Sequence, residues 1–128
     1  MARPRAKDLT ERELRVMHVF WEHGYMTAQE VRDLLEQEGV ELAYATVANL
    51  IRILLNKGFL AATNDQRPFQ YRAVRPFDEV SRTFVGDLVH RVFQGSREQL
   101  LVQLFGDAKN LSDAERELLQ QILEENDS

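Results

Sequence analysis

Residues 44–75 read YATVANLIRILLNKGFLAATNDQRPFQYRAVR, and a change of period inside this stretch decides the fold. From Tyr44 to about Asn56 the apolar residues recur at helical spacing, with Val47, Leu50, Ile51, Leu54 and Leu55 forming one stripe. Lys57-Gly58 ends that helix, because glycine takes the left-handed backbone of a helix stop without strain. The period then drops to two. Phe59 to Thr63, a polar tip from Asn64 to Pro68, and the alternation of Phe69, Tyr71 and Ala73 with Gln70 and Arg72 predict a β-hairpin carrying Arg67 at its tip. The face of the helix opposite its apolar stripe holds Ala45, Ala48, Asn49 and Arg52, which are small or hydrogen-bonding and allow close approach to another surface.

Upstream, Thr10-Glu11-Arg12-Glu13 and Thr27-Ala28-Gln29-Glu30 both fit the capping box, in which a threonine oxygen and a glutamate three residues on satisfy each other's backbone amides. Each should open a short helix. The first turns Leu14, Val16, Met17, Phe20 and Trp21 inward and ends at Gly24; the second turns Val31, Leu34 and Leu35 inward and ends at Glu38-Gly39. Helix, helix, helix, hairpin is the order of a winged helix-turn-helix, with the third helix placed to enter a major groove and the hairpin as the wing.

Arg75-Pro76 interrupts the pattern, and helical spacing returns from about Asp78. Val80, Phe84, Val85, Leu88, Val89, Val92 and Phe93 make one stripe; Leu100, Leu101, Leu104 and Phe105 make a second. A third, Leu118, Leu119, Ile122 and Leu123, follows a Ser112 cap, and residues 124–128 should fray. Three amphipathic helices in about 50 residues have little room to bury their own stripes. The expected architecture is therefore mainly α with a small β-hairpin wing: a DNA-binding winged helix over residues 1–76 and a three-helix dimerisation domain over 77–128. Pairing is expected through Phe84, Leu88, Val92, Leu100, Leu101, Leu104, Leu118, Leu119 and Ile122.

The formal net charge of -5 looks unfavourable for a nucleic-acid partner, but its distribution matters more. Residues 1–76 hold 11 Lys and Arg against 10 Asp and Glu, whereas residues 77–128 hold 5 against 11, so the acid is concentrated in the second half. Between 43 and 75 Arg52, Lys57, Arg67, Arg72 and Arg75 face only Asp65. The chain has no cysteine, which fits a reducing cytoplasm and removes thiol chemistry and disulfides. No apolar run suits a signal peptide or a membrane span, so a cytoplasmic protein is expected.

Each marked residue has a plain structural explanation beside the functional one. The outer face from Tyr44 to Arg52 could be an ordinary solvated helix side, yet it lacks acid in an acidic chain and precedes a hairpin. Tyr44, Ala45, Thr46, Ala48, Asn49 and Arg52 are thus the candidate DNA contacts, with Arg67 reaching a phosphate or the minor groove from the wing. Asn49 suits adenine, Arg52 suits guanine or phosphate, and Thr46 either caps the helix or touches phosphate. Arg3, Arg5 and Lys7 read as a disordered terminus rather than a basic arm, and Trp21 as core. His18 and His23 are five apart, not three or four, so neither a metal nor any cofactor is expected, and nothing marks a catalytic site. The rival reading is a winged-helix adaptor that binds protein and no DNA.

Taken together, LTERELRVMHVFWEHG, AYATVANLIRILLNKGFL, RPFQYRAV and LVHRVFQGSREQLLVQLFGDAKNLSDAERELLQQIL resemble the penicillinase and methicillin-resistance repressors, the BlaI/MecI type, from about Leu9 to Glu125. The resemblance implies a homodimeric repressor on a dyad-symmetric operator, released when a membrane sensor metalloprotease system causes cleavage in the pairing domain. The family's scissile bond maps near Gln103-Leu104, where the asparagine-phenylalanine pair of well-known members is absent. Members often carry arginine five residues before the glycine at the position of Gly58; here that place is Ile53, and the arginine is Arg52. Copper-responsive relatives have a cysteine cluster near the C-terminus, which this chain lacks.

Overall fold

The computed structural model describes residues 9–106 and 110–126. In chain order the elements are α1 (Glu11–His23), β1 (Met26–Thr27), α2 (Ala28–Gln37), α3 (Tyr44–Lys57), β2 (Leu60–Ala62), β3 (Gln70–Ala73), α4 (Phe77–Arg91), α5 (Arg97–Phe105) and α6 (Asp113–Asn126). Both expected capping boxes form. The Thr10 hydroxyl accepts from the Glu13 amide at 3.2 Å and the Thr27 hydroxyl from the Glu30 amide at 3.2 Å, with each glutamate returning the bond to its threonine amide. Gly58 stops α3 at φ 86°. Its amide and that of Phe59 bond back to the last turn, so the chain leaves the helix directly into β2.

The hairpin of β2 and β3 belongs to a three-stranded antiparallel sheet of order β1-β3-β2, in which Met26 pairs with Tyr71 and Leu60 with Ala73. β1 was not foreseen: two residues are too few to show a period, and Thr27 had already been assigned to the α2 cap. The extra strand ties the wing to the start of α2.

The core lies between α1, α2, α3 and the sheet: Val16, Met17, Val19 and Phe20 meet Val31, Leu35, Val47, Ile51, Leu54, Phe59 and Leu60. Within α1 the buried face is rotated from expectation. Val19 is buried, while Leu14 and Trp21 are only half-buried. The Trp21 indole N–H instead donates to the Arg75 carbonyl at 3.1 Å, and its ring meets Phe77 edge-on at 5.2 Å, which ties α1 to the start of α4.

A charge is also buried in this core. Glu13, 4 % exposed, receives the Lys57 ammonium at 2.6 Å with the same oxygen that closes its capping box, so one carboxylate joins the first turn of α1 to the last turn of α3.

The chain divides into two compact units, the first running to Asp87 and the second starting at Leu88. That division falls inside α4, beyond the break expected after residue 76, because Val80 enters the first core and Phe84 packs against it. In the second unit the Ser96 hydroxyl caps α5, and Ser112 with Glu115 forms a third capping box at α6. The Ser112 bonds hold the Glu115 carboxyl below its ordinary value. α6 continues through Glu124 and Glu125 to Asn126, past the expected fraying point.

Burial pushes the Glu13 carboxyl up, but hydrogen bonds from Lys57 and Thr10 outweigh it, and the net is a value below the usual one. A carboxyl depressed by folding stabilises the fold fully above its unfolded value, and that contribution is lost as pH falls through the depressed value. Glu13→Gln should therefore cost about 2 kcal/mol at neutral pH, since it leaves a partly buried ammonium without its counter-charge. Thermal melts from pH 7 to pH 3 should show the variant losing less stability than the parent as acid is added.

Candidate nucleic-acid interface

Burial of Val47, Leu50, Ile51 and Leu54 fixes which side of α3 remains outside. On that side Tyr44, Ala45, Asn49 and Arg52 are exposed, whereas Thr46 and Ala48 are half-buried at its margin. Arg52 donates to the Asn49 side-chain carbonyl at 2.6 Å, so the two candidate base-reading residues form one bonded unit on adjacent turns. The pairing orients both: Asn49 keeps its amide N–H groups for a partner, and Arg52 keeps the remaining edge of its guanidinium. The N-cap of α3 is Ala43, which supplies no side-chain bond, and no acid lies in the first turn; capping is thus not the role of Thr46. The helix end nearest Tyr44 therefore keeps the partial positive charge of its free amides.

The wing tip is held by side chains that the sequence reading passed over. Asn64 accepts from the Gln70 amide at 2.8 Å and donates to the Pro68 carbonyl at 3.3 Å, closing the loop across its base. Thr63 adds a bond from its hydroxyl to the Gln70 carbonyl at 3.1 Å. Arg67 is exposed on this loop, its guanidinium 5.9 Å from the centre of the Phe69 ring.

Two of the five cations counted for this face do not serve it. Lys57 is paired with Glu13, and Arg75 with Glu79 at 2.9 Å. Arg52, Arg67 and Arg72 are exposed, but Arg72 lies beside Gly24, Tyr25 and Val74, on the side of β3 opposite Tyr71. Arg3, Arg5 and Lys7 lie outside the described residues.

Between α3 and the wing opens a groove of about 590 Å³, bounded by residues 27–29 at the start of α2, by Tyr44, and by Arg67, Phe69 and Tyr71. Burial pushes the Tyr71 hydroxyl up, with Tyr44 adding to the shift and Arg67 opposing it, so the phenol stays protonated at neutral pH. The capping signal at residues 27–29 says nothing of a groove, because only the β1–β3 pairing brings them beside the wing. Among the described residues no group of three or more His, Cys, Asp or Glu is placed to hold a metal ion, and no helix is long and apolar enough to cross a membrane.

The residues expected at a pairing surface divide. Phe84 packs partly buried against the first unit's core, and Leu100 and Leu119 are half-buried. Leu88, Val92, Leu101, Leu104, Leu118 and Ile122 are exposed, the last two by 58 % and 46 %. Gln103 and Leu104 are exposed within α5.

The model of the family described as penicillinase repressor matches residues 9–125. The methicillin resistance regulatory protein MecI of Staphylococcus aureus is 24% identical over 116 residues, which is 91% of this chain and 93% of MecI. A 16.5 kDa protein of Latilactobacillus sakei is 29% identical, covering 91% of this chain and 78% of its own length. Among solved structures, H. salinarum RosR has a TM-score of 0.54 at 20% identity, covering 94% of this chain and 96% of RosR, a likeness of fold.

Asn64→Ala should loosen the wing without unfolding the protein, because both of its bonds are confined to the exposed loop. Amide hydrogen exchange should quicken at Gln70 while Ile51 and Leu54 stay protected. Equal acceleration at those core positions would show that the loop and the core open together.

Proposed function

The chain belongs to the penicillinase repressor family, and from that membership we propose that it represses transcription by binding a dyad-symmetric DNA operator as a homodimer. The observation that carries the reading is the outer face of α3: an acid-free surface with Asn49 and Arg52 bonded together, flanked by the exposed Arg67 of the wing. A helix of this kind enters a major groove with its side chains against base edges, and a wing arginine meets phosphate or the minor groove beside it. Tyr44, Ala45, Thr46 and Ala48 supply the close-approach surface around that pair. The first unit reads DNA, and the second holds two copies together. The exposed apolar side chains of α5 and α6, on helices with little core of their own, support the pairing role.

Two half-sites roughly 34 Å apart would then be read at once, and linking them adds on the order of 100-fold in affinity over one. Release follows from anything that separates the copies. Cleavage in the second unit near Gln103-Leu104 by a membrane sensor metalloprotease system is the route this reading takes, with the repressor itself in the cytoplasm.

Fluorescence anisotropy with the duplex upstream of the protein's own gene, against a scrambled duplex, tests the reading. Selective binding is expected; absent binding of both would favour the adaptor, and equal binding of both would overturn the reading of a specific operator. Arg67→Ala should weaken binding and lower the slope of log affinity against log salt by about one, as loss of one phosphate contact does. Arg52→Ala should weaken binding and narrow the gap between the two duplexes, by about 1–3 kcal/mol if it reads guanine.

Leu118→Asp places a charge on a side chain already 58 % exposed, so the protomer fold should survive while the dimer dissociates. Sedimentation velocity reads this outcome directly. A dimer persisting in the variant would move the interface away from α6.

A further inference from the structure

The groove between α3 and the wing has a lining that phosphate contact does not explain. A phosphate asks for N–H donors and positive charge, yet the walls here are the rings of Tyr44, Phe69 and Tyr71 with the methyl of Ala28, and a single guanidinium, Arg67, stands at one side. At the start of α2 the capping box takes up the Thr27 and Glu30 amides, and the Gln29 side-chain amide donates to Asp33 at 3.0 Å. Glu30, the acid nearest in sequence to this rim, is itself held in that box. Arg67 is the one charged side chain of the lining, and the rings of Tyr44, Phe69 and Tyr71 suit a flat apolar body beside it.

We propose that this groove is a binding site for a planar aromatic carboxylate, its ring lying against Tyr44, Phe69 and Tyr71 and its carboxylate on Arg67. Three observations on independent features meet there. The volume of about 590 Å³ falls in the range of small-molecule sites, roughly 300–1,000 Å³. Aromatic walls favour a ring in stacked or edge-on contact. Arg67, already poised over the Phe69 ring, supplies one bidentate partner for a single carboxylate, and the neutral Tyr71 phenol can donate a further hydrogen bond. Tyr44 and Arg67 are also residues assigned to DNA, so the acid and the operator compete for one surface. The competition rests on the DNA-binding reading above; the binding of the acid does not.

The test uses the full chain without DNA and 2-naphthoate as the probe, followed by saturation-transfer NMR with titration. Saturable binding is expected. It should weaken at least about fivefold with 2-naphthamide, which lacks the charge, and with cyclohexanecarboxylate, which lacks the flat ring. Arg67→Gln and Tyr44→Leu, both at exposed positions, should each weaken it comparably while leaving the melting curve unchanged. Absence of saturable binding, indifference to both variants, or displacement of the probe by inorganic phosphate at similar concentration would overturn the proposal. A second arm adds the operator duplex: naphthoate at ten times its Kd should lower apparent DNA affinity roughly tenfold per half-site, on the order of 100-fold for the dimer. DNA binding with no naphthoate binding sinks this proposal and leaves the repressor reading intact. Naphthoate binding with no DNA binding upholds the site and sinks the repressor reading.

Discussion

Four side chains on one helix, Val47, Leu50, Ile51 and Leu54, must leave water together, and the rest of the structure follows from where they go. A helix with a single apolar stripe has one stable rotation about its axis once that stripe is packed. Here it packs against Val16, Met17 and Phe20 of α1 and Val31 and Leu35 of α2, which turns Ala45, Asn49 and Arg52 outward. The same burial aims the chain at Gly58, whose left-handed backbone sends it into β2, and so sets the wing beside the helix it flanks. Core packing and the exposed face of α3 are thus two results of one constraint.

Electrostatics refine this arrangement. The net charge of -5 says little about the outer face of α3, because the acid lies elsewhere. Glu13 spends its charge on Lys57 inside the first unit, and Glu79 takes Arg75. What remains is Arg52 on α3 and Arg67 on the wing, not a broad basic patch. Under the proposed function, a surface of that kind depends on correct geometry more than on bulk attraction. With few phosphate contacts per protomer, the homodimer proposed above gains its affinity by engaging two half-sites.

Much of this was legible in the residues. The two threonine boxes, the α3 stripe, Gly58 and the alternation of Phe69, Tyr71 and Ala73 each carry a local physical reason, and each element formed where that reason placed it. What the residues hid was long-range. Lys57 looked like a surface cation because its partner Glu13 lies 44 positions away. β1 and the groove beside it depend on Met26 and Thr27 meeting Tyr71 and Gln70, a pairing no local pattern announces. Phe84 shares its amphipathic stripe with the residues that follow it, and nothing local announces that it packs partly buried against the first core. Local rules set the elements; the contacts among them decided which charges and rings were left for function.

The account stands on α3 and the wing as the surface that meets duplex DNA. Backbone amide NMR during titration with the duplex from upstream of the gene reads that surface residue by residue. Shifts concentrated at Asn49, Arg52 and Arg67, with the amides of Val16 and Leu35 nearly still, are the predicted result. Shifts confined to α5 and α6, or none at any ratio of duplex to protein, would contradict it.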